Sequence, residues 1–246
     1  MLVIAAIATF GLTAVMAMAG VGAAFILVPI FLALGVEIHA AMATALLLNA
    51  ISTSVSTTTF IRKRLVEWRL AVPILIVAVA LSPVGVHVSQ GLDRRLLLWL
   101  FSGFLVFASL MMLLYSPKAS ATPVSARGQM VRGSFLGGIA GFVGGLLGVG
   151  GGSIIVPVLV GSGLEPKRAS ATASFVVVFA SLTGFFAHAT LSGMDYRLVG
   201  VTGVASAGGA ALGAWLMSEK LKSGQLKYII GLVLLGTAVK MIWGLL

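Results

Sequence analysis

Apolar runs of about 17 to 25 residues recur from one end of this chain to the other, the length of helix that crosses roughly 30 Å of hydrocarbon. The polar stretches between them are short and leave no room for a separately folded soluble domain. Of the 246 residues, 59% are hydrophobic and 9% charged, the balance of an integral membrane protein. The chain is read as all-α and polytopic, with the lipid bilayer as its surroundings. A net charge of +10 would point to nucleic acid in a soluble protein. Here the basic residues sit between apolar segments and read as topology signals, so no nucleic-acid partner is expected. With no cysteine in the chain, disulfides and thiolate metal sites are excluded, and no metal or cofactor is expected. Ala17-Met18-Ala19 has the pattern of a signal-peptide cleavage site. No Lys or Arg precedes the apolar run, so this first stretch is expected to belong to the fold.

Shifted by 128 positions, residues 20 to 112 align with 148 to 240 without a gap. Gly20-Val21-Gly22 falls on Gly148-Val149-Gly150, Pro29 on Pro157, and Ala43-Thr44-Ala45 on Ala171-Thr172-Ala173. Glu67-Trp68-Arg69 falls on Asp195-Tyr196-Arg197, an acid-aromatic-Arg triplet in both places that reads as an interfacial anchor. Two homologous halves, 1–115 and 134–246, are expected, joined by a polar linker at 116–133. Internal duplication of this kind is common among transporters. Each half divides into five apolar segments, the first half at about 2–19, 23–34, 39–60, 70–90 and 95–115. The second segment is too short to span, so the first two are read as a broken or re-entrant helical hairpin followed by three full spans.

An odd number of crossings per half implies that the halves are inverted. Inversion gathers Arg62, Lys63, Arg64, Arg69, Lys118, Arg127, Arg132, Lys167, Arg168, Lys220, Lys222 and Lys227 on one face, against Arg94, Arg95, Arg197 and Lys240 on the other. The positive-inside rule then places the linker in the cytoplasm and both termini outside, in the inner (cell) membrane.

The stretch Gly148-Val149-Gly150-Gly151-Gly152-Ser153 opens a short segment that contains Pro157. Glycine permits positive φ and leaves amides uncovered. The first amides of a helix have no intrahelical acceptor, and its dipole favours an anion there. Gly150, Gly151, Gly152 and Ser153 are therefore candidate anion-binding residues, with Gly22 and Ala23 as their first-half equivalents. Gly141, Gly144, Gly145 and Gly148 read instead as close-packing positions between helices. Pro29 and Pro157 break their segments, each removing one amide from the helix ladder. The third segment of each half is polar for a span: Asn49, Ser52, Thr53, Ser56 and Thr57 in the first, Thr172, Ser174, Ser181, Thr183 and His188 in the second. Asn49, Thr172, Ser174, Ser181 and His188 join the candidate substrate contacts, the last three recurring every seven residues on one helical face. Asn49 and His188 stand out because an amide or imidazole is expensive to bury unpaired. All six acids, including Glu37 and Glu165, fall at loops or span ends, so no carboxylate relay crosses the membrane. Glu165-Pro166 reads as a helix start.

On the motif at Gly148 to Pro157, the paired halves and the Gly-rich turn that opens each short helix, the chain resembles the TauE/SafE family of sulfite and organosulfonate exporters. The resemblance covers nearly the whole chain. It implies a secondary transporter or facilitator for a small inorganic or organic sulfur oxyanion, and no enzymatic activity. The first half has Ala23-Ala24-Phe25 where the second has Gly151-Gly152-Ser153, so the second half is expected to supply more of the ligand contacts. The enzyme alternative is an intramembrane hydrolase using Ser153 and His188, which lacks an orienting acid in the membrane. Assembly as a homo-oligomer is left open by the sequence.

Overall fold

A computed structural model describes residues 2–114, 126–189, 196–220 and 223–243. Among these residues there are ten helices and no strand: α1 (Leu2–Ala19), α2 (Ala24–Ala33), α3 (Ile38–Arg62), α4 (Trp68–Gln90), α5 (Arg94–Leu114), α6 (Ala126–Leu146), α7 (Gly152–Gly161), α8 (Pro166–Ala189), α9 (Tyr196–Glu219) and α10 (Ser223–Trp243). The 128-position shift carries α2 onto α7 residue for residue and sends α3, α4 and α5 to within a residue of α8, α9 and α10. The helix α6 begins at Ala126, inside the stretch read as linker. Its first turns carry Arg127, Gln129 and Arg132, which are polar yet favourable in a helix.

Among the described residues four helices, α3, α4, α8 and α9, are long and apolar enough to cross a membrane. The ten residues of α2 and of α7 reach only about 15 Å, half the hydrocarbon thickness. Side chains such as Val204, 78% exposed, together with Ile7, Ile76 and Phe135 form an apolar outer surface of the kind that a soluble monomer does not carry. The molecule is a multi-pass membrane protein.

Neighbouring helices come mostly from opposite halves. Glycines 137, 141 and 145 of α6 lie directly on the backbone at Ile74, Ala78 and Ser82 of α4. A methyl group at any of them would meet a carbonyl oxygen, the close approach that small residues allow. Both numbers rise together, so α4 and α6 run parallel. Gly209 and Gly213 of α9 pack likewise on Phe10 and Ala14 of α1. At the centre, His39 lies beside His188, Leu46 beside Gly184, and Asn49 donates to Ser181. One number rises while the other falls, so α3 and α8 run antiparallel. Both are largely enclosed by the other helices, which is why their hydroxyls and amide face protein rather than lipid.

Helix ends follow their sequence signals. The Glu37 carboxylate accepts from the amides of His39 (2.9 Å) and Ala40 (3.0 Å), capping α3. Pro166 is the first residue of α8, as the Glu165-Pro166 pair predicts. Glu67, just ahead of α4, pairs with Arg168 at 3.1 Å, and Lys63 pairs with Glu219. The C-terminal ends of α3 and α9 therefore share a face with the N-terminal ends of α4 and α8. Trp68 is exposed and meets Phe175 edge-on at 5.0 Å, in keeping with an interfacial anchor. Asp195 in the matching triplet lies outside the described residues.

Candidate functional site

The two short helices point their N-termini at one central pair of side chains. Each is preceded by a turn that only glycine enters without strain: Gly20 and Gly22 have φ of 68° and 78°, Gly148, Gly150 and Gly151 have 68°, 73° and 76°. Gly152 is already the first residue of α7 and is not among the positive-φ glycines; its role is space, since a Cβ there would stand 2.5 Å from the Val21 carbonyl oxygen. Ala23, at the position of Gly151, has φ −97° and ψ −4°, so the first-half turn is made differently. Gly148 packs on Met42, and Gly144 faces the Gly151 amide.

Asn49 stands near the middle of α3 and is fully buried. Its Oδ1 accepts from the amide of Ala24, the first residue of α2, at 3.4 Å, and its Nδ2 donates to Ser181 Oγ at 2.9 Å. Asn49 Oδ1 also lies against Gly22, while Asn49 Nδ2 and Ser181 Oγ lie against Gly150. The two turns, Asn49 and Ser181 thus form a single contact at the centre of the span. Ser153 follows on the first turn of α7, 4% exposed, and its hydroxyl has no hydrogen-bond partner among the described residues. In that turn the first backbone donors to find an acceptor are Ile154 and Ile155, both to the Gly151 carbonyl. What the α7 terminus offers is a buried group of donors with no carboxylate beside it among the described residues, an arrangement suited to an anion.

The other candidates are spread along α8. Ser174 donates to the Gly20 carbonyl at 3.2 Å, bracing the first-half turn. Thr172 accepts from the Glu67 amide at 3.0 Å, near the face with the ion pairs, and is not brought to the turns. His188 is buried on the last turn of α8, its ring centroid 5.9 Å from that of His39. Two helical turns, about 10 Å, separate it from Ser181. The hydrolase alternative would need Ser153 hydrogen-bonded to a base, and the Ser153 hydroxyl makes no such bond among the described residues. On α3, Ser52 and Thr53 donate to the Asn49 carbonyl and Ser56 to that of Ser52, so these hydroxyls are spent on their own helix. Pro29 and Pro157 sit at equivalent places inside α2 and α7, where each removes one amide from the ladder.

Four residues at or around the site were not singled out from sequence. His39 is the neighbour of His188, Val177 abuts Gly150 and Gly152, and Ser82 and Ser206 donate across helices to the carbonyls of Ala180 and Leu48. The only available signal for Val177 was its alignment with Asn49 under the 128-position shift.

Comparison with known proteins places the chain among membrane transporters. Residues 4–241 match the family described as sulfite exporter TauE/SafE. The probable membrane transporter protein YunE of Bacillus subtilis is 27% identical over 253 residues, covering 91% of each chain. A probable membrane transporter protein of Methanocaldococcus jannaschii is 26% identical, covering 72% of this chain and 68% of its own. Sulfite exporter TauE/SafE family protein 6 of Arabidopsis thaliana is 43% identical over 63 residues, which is 26% of this chain but 13% of the plant protein. No solved structure matches. A multi-pass helical protein that matches the family over almost its whole length, the chain belongs to the sulfite exporter TauE/SafE family of membrane transporters.

Proposed function

We propose that the protein carries a small sulfur oxyanion, sulfite or an organosulfonate, across the cell membrane, taking it at the N-terminus of α7. The observation that carries this reading is the buried Ser153 hydroxyl, unpartnered among the described residues, on a helix terminus whose turn is held open by Gly150 and Gly151. The names of the relatives support the substrate class. Gly150, Gly151, Gly152, Ser153, Asn49 and Ser181 form the contact region, with Gly22, Ala23 and Ser174 shaping the first-half turn. Thr172 and His188 act at other levels of the span.

Residues 1–115 and 134–246 are inverted repeats in this reading, each opening with a broken hairpin. The antiparallel course of α3 and α8 supports it, because equivalent helices related by an axis along the membrane normal would run parallel. The linker at 116–133 is cytoplasmic, both termini are outside, and the membrane is the inner one. Arg62, Lys63, Arg64, Arg69, Lys167, Arg168 and Lys220 all stand at helix ends on the face with the ion pairs, in accord with the positive-inside rule.

Sulfite counterflow in proteoliposomes tests the function. The parent should exchange sulfite, and Ser153→Ala should slow exchange about tenfold, the worth of one hydrogen bond to a charged ligand. Thermal stability should hold or rise, since the replaced hydroxyl is buried without a partner. No flux by the parent, with the protein correctly inserted, would overturn the reading.

A further inference from the structure

Equivalent places beside the two short helices hold different side chains. Beside α2 it is Asn49, whose carboxamide oxygen takes the Ala24 amide at 3.4 Å and fills the hollow at Gly22. Shifted by 128 positions, the same place beside α7 is Val177. Its two methyl groups stand 3.2 Å and 3.0 Å from where a Cβ on Gly150 and on Gly152 would lie. A valine so placed can accept no hydrogen bond. The pairing differs again one step along: α2 has Phe25 where α7 has Ser153, both buried, and the Ser153 hydroxyl is unpartnered among the described residues.

We propose that Asn49 is a built-in occupant of the first-half helix terminus, its carboxamide oxygen holding on α2 the place that the transported anion takes on α7. The chain therefore carries one anion site rather than two, and Val177 is the residue that leaves it open. This rests on the reading of α7 as the anion terminus. A neutral oxygen from Asn49 satisfies the α2 amide at no cost in charge. Its Nδ2 points the other way, toward Ser181 and Gly150, so the same side chain closes the first site and adds a donor beside the second.

Equilibrium dialysis of radiolabelled sulfite against the purified full chain decides it. The parent should saturate at one sulfite per chain. Val177→Asn sets beside α7 the carboxamide that α2 already has, and should weaken sulfite binding by a factor of about ten or more, because a buried acceptor then competes for the same donors. Val177→Leu, which has about the size of asparagine and no acceptor, should bind as the parent does. Two sulfites per chain in the parent would overturn the inference, a result that needs no variant to fold. So would a folded Val177→Asn protein with parental affinity, or a loss in Val177→Leu equal to that in Val177→Asn. A folded parent that binds no sulfite would remove the reading on which the inference stands, and the two failures are distinguishable.

Discussion

At Gly151 the backbone has φ 76°, and a Cβ there would collide with the carbonyl oxygen of Ala140. Valine would pay twice, about 1–2 kcal/mol for the left-handed conformation and more for the collision. Ala23, the equivalent residue, has φ −97°, where a β-branched residue meets no such strain. Gly151→Val should therefore insert in the membrane, lose sulfite flux and melt lower than the parent, while Ala23→Val keeps a larger share of flux. Flux assays on matched amounts of inserted protein check this, and equal loss at both positions would show that the two turns serve alike. The glycines and the contrast with Ala23 were legible as residues. Which glycine takes which role was not: Gly152 was grouped with the turn, yet it is needed for its missing side chain beside Val21.

Helix bounds were readable because the signals that end a helix are local. The third segment, read at 39–60, is Ile38–Arg62, fixed at its start by the Glu37 cap and at its end by a basic cluster. Depth and partnership were not local. Seven-residue spacing put Ser174, Ser181 and His188 on one face, as periodicity can, but each meets a different level of the first half. The hydrogen bond from Asn49 to Ser181 spans 132 positions, and no property of either residue announces it. The Glu37 cap carries its own test. Burial raises the pKa of its carboxyl, while the amides of His39 and Ala40 lower it and prevail. A carboxyl depressed in the folded state contributes stability above its unfolded value, near 4.5, and that contribution is lost as pH falls through the folded value. Glu37→Gln should lower the melting temperature at neutral pH, and the gap to the parent should narrow as pH falls below the unfolded value near 4.5. A gap of constant size down to acid would mean that the charge on the cap does nothing.

Across the whole molecule, helices of one half lean chiefly on helices of the other, and this mutual enclosure gives two half-length helices a buried place at the centre. Self-alignment revealed the pairing of the halves but not which helices touch; that follows from rows of small residues on α6 and α9 meeting α4 and α1. The proposed inversion of the halves predicts that single cysteines at Gly91 and Glu165, introduced into a chain that has none, label from opposite sides of the membrane. Halves with the same orientation would expose both on one side. The ion pairs Lys63–Glu219 and Arg168–Glu67 tie helix ends on the basic face, and exposed pairs of this kind add little to stability.

Selenite, the heavier analogue of sulfite, allows the bound anion to be located by its anomalous scattering in crystals of the protein. One peak should lie at the N-terminus of α7, within about 4 Å of the Ser153 hydroxyl and the amides of the first turn, the selenium standing one bond behind the oxygens that accept. It should be weaker in crystals of the Val177→Asn protein soaked at the same concentration. A peak at the α2 terminus, or among the basic residues around Lys63 and Arg168 with none at α7, would contradict the site.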